Sequence, residues 1–197
     1  MIPKYVKILA ASKTRSVSEI QKVIDDGISI IGENYVKEAK EKKALLKGSF
    51  EFHMIGHLQK NKIKDAIQLF DMIQTVDSFE LASEISKRAT TKYPVLIEVN
   101  SGEESEKSGV NPTKVLDLVR KISTLPNVIV KGLMTMGPVE NPRMAFRKTK
   151  QLFDSIKAMK IPNVEMEILS MGMSDSYEVA IEEGSNMVRL GKSLFEN

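Results

Sequence analysis

Residues 6–32 read VKILAASKTRSVSEIQKVIDDGISIIG: a short apolar run, a polar stretch with helical spacing, and a second apolar run. Runs this short and this apolar suit strands covered on both faces, and a helical stretch between two of them makes one βα unit of a parallel sheet. The same alternation continues along the chain. Strand-like runs fall at Val6–Ala11, Ile28–Gly32, Glu51–Ile55, Met72–Thr75, Val95–Asn100, Val128–Met134, Glu165–Leu169 and Met187–Leu190, each followed by a helix-like segment, the last from Lys192 to Glu196. Eight parallel strands can close on themselves without leaving an edge, whereas an open doubly wound sheet usually has fewer strands and a Gly-rich first turn. The expected fold is therefore α/β, a single (β/α)8 TIM barrel domain spanning residues 1–197.

With 197 residues, 42% of them hydrophobic and 28% charged, the chain has the composition of one globular domain with a full core. The absence of Cys excludes a disulfide framework and thiolate chemistry, and it fits a reducing, cytoplasmic setting. The start, MIPKYVKILAASK, has neither the apolar core of a signal peptide nor a bilayer-spanning stretch, so no membrane association is expected. It also leaves no helix ahead of strand one to cover the N-terminal mouth of a barrel. The net charge is +3, with 29 basic residues dispersed among 26 acidic ones, which is no footprint for nucleic acid. The one local cluster, Lys60, Lys62 and Lys64, opens a helical stretch without an aromatic ladder and reads as a solvated face. No linker or low-complexity tract divides the chain.

Chemistry in such a barrel belongs at the C-terminal strand ends. The stretch GEESEKSGVNP, 102–112, follows strand five without apolar periodicity and is expected to be a loop on that face. Lys13 closes strand one in ILAASKT. A lysine at the end of a buried strand loses solvation, which favours the neutral amine that condenses with an aldehyde; a lysine snorkelling to water is the alternative. Ser170, Gly172 and Ser174 are expected after strand seven, and Gly191 and Lys192 after strand eight, each group opening a helix. Small residues and helix starts at these two loops suit a phosphate. Ser174 or Asp175 with Glu178 would cap helix seven, and Gly184 would stop it, without conflict with that role.

Arg189, between Val188 and Leu190, faces the barrel interior by period-two alternation and needs an acceptor there, a buried ion pair with Glu33 or Glu98 being the alternative. His53 and His57, in FHMIGHLQKNK, read as hydrogen-bonding groups rather than a general base, and no HExxH-like spacing supports a metal site. Glu33, Asn34 and Asn100 at strand ends line a pocket or serve turns, and the Met-rich GLMTMG packs the barrel with some soft contact to a flat ligand.

Together these blocks resemble the YggS/PROSC family of pyridoxal-phosphate homeostasis proteins. The resemblance rests on AASKT around Lys13, GENYVKE from Gly32, FHMIGHLQKNK from Phe52, EKSGV from Glu106, GLMTM from Gly132, SMGMSDSYEVAIEEGS from Ser170 and MVRLG from Met187, in the family's order over almost the whole chain. It implies a barrel of the fold-type-III class that binds pyridoxal 5'-phosphate (PLP). Lys13 would be the Schiff-base lysine, Ser170 through Ser174 one phosphate loop, Gly191 and Lys192 the second, and Arg189 the group facing the pyridine nitrogen; Asn34 would line the site. Two features depart from the family: the helix that usually precedes strand one is missing, and GKS stands where Thr commonly follows Gly. The backbone donor survives that change, the hydroxyl is lost, and Lys192 adds charge.

An arginine opposite the pyridine nitrogen disfavours its protonation and weakens the ring as an electron sink. Racemisation also needs a second acid/base, supplied in alanine racemases by a tyrosine from a partner subunit's additional domain, for which this chain has too few residues. The expectation is a monomeric PLP homeostasis protein that holds PLP as a reversible aldimine on Lys13 and supplies PLP-dependent apoenzymes, with no catalytic residue assigned. The alternatives are a low-activity PLP-dependent amino-acid racemase, with Lys13 and either His53 or Tyr35 as bases, and a phosphate-ester enzyme without the cofactor.

Overall fold

All eight strand-like runs form strands in the computed structural model, which describes residues 2–102 and 108–196. In chain order the elements are β1 (Lys7–Ala11), α1 (Val17–Asp25), β2 (Ile30–Glu33), α2 (Val36–Lys43), β3 (Glu51–Met54), α3 (Ile63–Leu69), β4 (Met72–Val76), α4 (Phe79–Arg88), β5 (Tyr93–Glu98), α5 (Val115–Ile122), β6 (Val128–Thr135), α6 (Arg143–Ala158), β7 (Val164–Met171), α7 (Tyr177–Glu182), β8 (Met187–Leu190) and α8 (Lys192–Phe195). The strands pair in sequence order and β8 returns to β1, closing the expected parallel barrel. The stretch expected as a loop after β5 lies outside the described residues at 103–107.

Two apolar layers follow from the period-two alternation of the strands. One face of each strand packs under the helices, with Ala10, Ile31, Phe52, Ile73, Ile97 and Leu133 in a cluster joined by residues such as Ile20, Ile85 and Phe146. The other face fills the barrel, where Leu9, Ile30, Met72, Leu96, Met134, Ile168 and Met187 form a separate cluster. The interior positions His53, Gln74, Glu98, Ser170 and Arg189 are polar and buried. Against β5 the register shifts between Val130 and Gly132, so Lys131 is an extra residue of β6 there, whereas against β7 the same step faces Val164 to Ile168 and the additional residues belong to β7. Gly132 there has φ 149°, and a Cβ on it would stand 1.8 Å from the Ile168 carbonyl oxygen. Lys60, Lys62 and Lys64 are exposed, as a solvated face requires. Among the described residues no helix is long and apolar enough to cross a membrane.

Candidate functional site

Around the closed barrel β7, β8, β1 and β2 stand side by side. The segments that follow them share one side of the C-terminal mouth, and they carry Gly172, Gly191, Lys192, Lys13 and Asn34. Ser170 is different: it lies inside β7, not on the loop after it. Its hydroxyl is buried in the barrel, donating to Gln74 Oε1 (2.8 Å) and accepting from Arg189 Nη1 (2.8 Å). A serine ended the apolar run in the sequence, but these partners let the strand continue through it.

The β7–α7 loop begins at Gly172 with φ 96°, where a Cβ would come within 2.6 Å of the Ala180 Cβ. Only glycine lets the loop pass this close to α7. The Gly172 carbonyl accepts the Arg189 N–H at 3.0 Å, tying the loop to β8. Two residues on, Ser174 Oγ accepts from the backbone N–H groups of Gly191 (3.2 Å) and Ser193 (3.3 Å) and from the Ser193 hydroxyl (3.1 Å). Donors from the β8–α8 corner thus converge on one oxygen, and a donor set of this kind fits a phosphate oxygen. Capping differs from expectation. Ser176, not Ser174 or Asp175, precedes α7, its hydroxyl accepting from the Met173 N–H (3.1 Å), while Gly184 at φ 95° ends the helix as anticipated.

Lys13 lies two residues past β1 and is exposed, so the desolvation expected of it is absent here. Its carbonyl accepts from Thr14 Oγ1 (2.6 Å), and Thr14 has φ 63°, a left-handed conformation that a β-branched residue rarely adopts. The turn is held from below. Buried Ser12 shares its hydroxyl proton between the Gly32 carbonyl (3.0 Å) and Glu33 Oε2 (3.0 Å). Lys42 Nζ meets Glu33 (2.6 Å), the Ser12 carbonyl (2.8 Å) and Glu38 (3.0 Å), while Glu33 Oε1 accepts from the Asn34 N–H (2.7 Å). One buried ion pair therefore fixes the backbone before Lys13 and at Asn34. Glu33 is committed to Lys42, not to Arg189.

Arg189 is buried, and its direct partners are neutral: Ser170, the Thr135 carbonyl (2.9 Å) and Met136 Sδ (3.4 Å). The alternative of an ion pair with Glu98 is not met by a hydrogen bond among the described residues, although Glu98 acts on Arg189 through space. Burial pulls the guanidinium down to about 10, partly offset by Glu98. Burial, and then the charge of Asp77, push the Glu98 carboxyl up to about 7, against the pull of Arg189. A cavity of about 410 Å³ opens beside these segments, lined among others by Asn34, Glu98, Asn100, Thr135, Met136 and Met173. Of the residues expected to bind the cofactor only Asn34 is in its wall.

His57 is exposed on that wall, whereas His53 is buried with both ring nitrogens engaged, by Glu51 (3.0 Å) and Gln74 (2.9 Å). Gln74, Thr135 and Lys42 escaped the sequence reading. Gln74 in the apolar run MIQTV was the one available signal, since buried amides need specific partners.

These features define the class of the chain, a barrel of the alanine racemase N-terminal type: residues 2–196 match the family described as alanine racemase, N-terminal domain. Within that class the chain belongs to the YggS/PROSC family of pyridoxal phosphate homeostasis proteins. It is 40% identical over 200 residues to the pyridoxal phosphate homeostasis protein of Haemophilus influenzae, covering 96% of this chain and 84% of that relative. With the protein of the same name from Aquifex aeolicus it shares 44% identity over 197 residues, covering 96% of this chain and 86% of the relative. PipY of Synechococcus elongatus, solved with PLP bound, superimposes with a TM-score of 0.90 at 28% identity, covering 99% of this chain and 94% of PipY.

Proposed function

We propose that this chain is a PLP homeostasis protein of the cytoplasm, binding the cofactor reversibly at Lys13 and releasing it to PLP-dependent apoenzymes. The observation that carries this reading is the grouping of Lys13, Arg189 and the two small-residue loops on three adjacent strands, β7, β8 and β1. The cofactor, when bound, supplies an aldehyde that bonds reversibly to an amine and a ring that can accept electrons. Gly172, Gly191 and Lys192 would hold its phosphate, a phosphate oxygen replacing the Ser174 hydroxyl as acceptor of the Gly191 and Ser193 N–H groups. Arg189 would donate to the ring nitrogen and keep a proton off it, which supports holding over carbanion chemistry. Exposure of Lys13 favours exchange with solution, as delivery requires.

The racemase alternative loses one of its candidate bases, since both nitrogens of His53 are turned to Glu51 and Gln74 inside the barrel. Tyr35 remains exposed beside the mouth. Solvent deuterium exchange at the α-carbon of a panel of amino acids separates the two readings. A holder gives no exchange above free PLP; enzymatic turnover of any one amino acid would replace this reading with the racemase.

A further inference from the structure

Five polar side chains form one uninterrupted line of hydrogen bonds through the barrel. Arg189 Nη1 meets Ser170 Oγ at 2.8 Å, Ser170 Oγ meets Gln74 Oε1 at 2.8 Å, Gln74 Nε2 meets His53 Nδ1 at 2.9 Å, and His53 Nε2 meets Glu51 Oε2 at 3.0 Å. Glu51 opens β3, so the line runs from the C-terminal side of the barrel to its N-terminal mouth, where the Glu51 side chain is exposed. Its direction follows from the groups themselves. A guanidinium only donates, so Ser170 accepts from Arg189 and turns its own proton to the Gln74 carbonyl. The Gln74 amide nitrogen then donates to Nδ1, and the ring proton of His53 is on Nε2, facing Glu51. A reversed amide would give Ser170 two donors and no acceptor. Every link therefore donates from the cation toward the carboxylate, an order in which each bond polarises the next.

Such barrels are ordinarily filled by branched apolar side chains, and a buried amide and imidazole cost stability unless fully bonded. Gln74, His53 and Ser170 are completely buried. We propose that Gln74 is a positioning residue for Arg189, its amide held by His53 and Glu51, so that the guanidinium is presented to the ring nitrogen of PLP in one orientation. This rests on the reading of Arg189 as the group that faces the ring nitrogen. The other charged groups acting on the two ends are Glu98 on Arg189 and Lys7 on Glu51.

The test uses the full chain in two arms. In the first, without PLP, 15N NMR follows the Arg189 side chain, assigned by its loss in Arg189→Lys, and the His53 ring. The expected results are an Nε2 proton on His53 and, in Gln74→Met, a shifted Arg189 signal with faster proton exchange. In the second arm, with PLP, Gln74→Met weakens affinity about 5- to 30-fold, the range of one or two lost hydrogen bonds between neutral groups such as Gln74 makes to Ser170 and His53. It also moves the pH midpoint of the cofactor absorbance, which a loss of packing alone would not do. Should Gln74→Met fail to fold, Glu51→Ala at the exposed end carries both arms, with smaller shifts in the same direction. A lowered melting temperature with an unchanged Arg189 signal and pH midpoint overturns the proposal. A wild-type chain that takes up no PLP removes the cofactor reading alone, because the first arm still decides whether Gln74 holds Arg189.

Discussion

Glu98 and Lys42 show what burial does to single residues beside the mouth. The Glu98 carboxyl, pushed up to about 7, keeps its proton in the folded chain at pH values where it ionises in the unfolded chain. The folded state then binds more protons, so the contribution of Glu98 is fully present below the ordinary carboxylate range and is lost as pH rises through about 7. Glu98→Gln should melt progressively higher relative to wild type as pH climbs through that window and level off above it. A melting difference independent of pH would contradict the account. Lys42 is the partner of fully buried Glu33. Lys42→Met should cost about 3–5 kcal/mol in chemical denaturation, because a buried carboxylate is left unpaired. Adding Glu33→Gln should recover part of that loss. At this scale the sequence made Lys13 and Arg189 legible by their positions at and in strands. It did not reveal Ser12, Lys42 or Gln74, whose roles depend on contacts across strands and between β2 and α2 that no local pattern encodes.

Among the elements, apolar runs bounded by turn residues located all eight strands, and the deviations have physical causes. β5 starts at Tyr93, before the expected Val95, because at Pro94 only β6 lies alongside, β4 joining from Val95 on, so the proline sits where the strand still has a free edge. β7 runs to Met171 because Ser170 finds its partners inside the barrel. The irregular register of β6 was invisible, since GLMTMG reads as plain barrel packing, yet the close approach of its backbone to β7 makes Gly132 indispensable. Gly132→Ala would force a methyl group against the Ile168 carbonyl and is expected to destabilise by about 3 kcal/mol or more. A loss below about 1 kcal/mol in urea unfolding would show that the bulge relaxes at little cost.

For the molecule as a whole, eight repeated units implied closure, and closure is what joins β8 to β1 and so brings the two ends of the chain into one site. On the proposed function neither the small-residue corner nor Lys13 would be a site alone; β7, β8, β1 and β2 would assemble it. The burial of Lys13 was the expectation that closure did not meet, because the chain turns at Thr14 and lifts the side chain to the rim. Whether this rim lysine carries the cofactor is decided by borohydride reduction of the PLP-loaded chain followed by peptide mass spectrometry. One pyridoxyl group per chain is expected, located on Lys13 and absent in Lys13→Ala; label spread over surface lysines, or label undiminished in Lys13→Ala, would rule Lys13 out as the carrier.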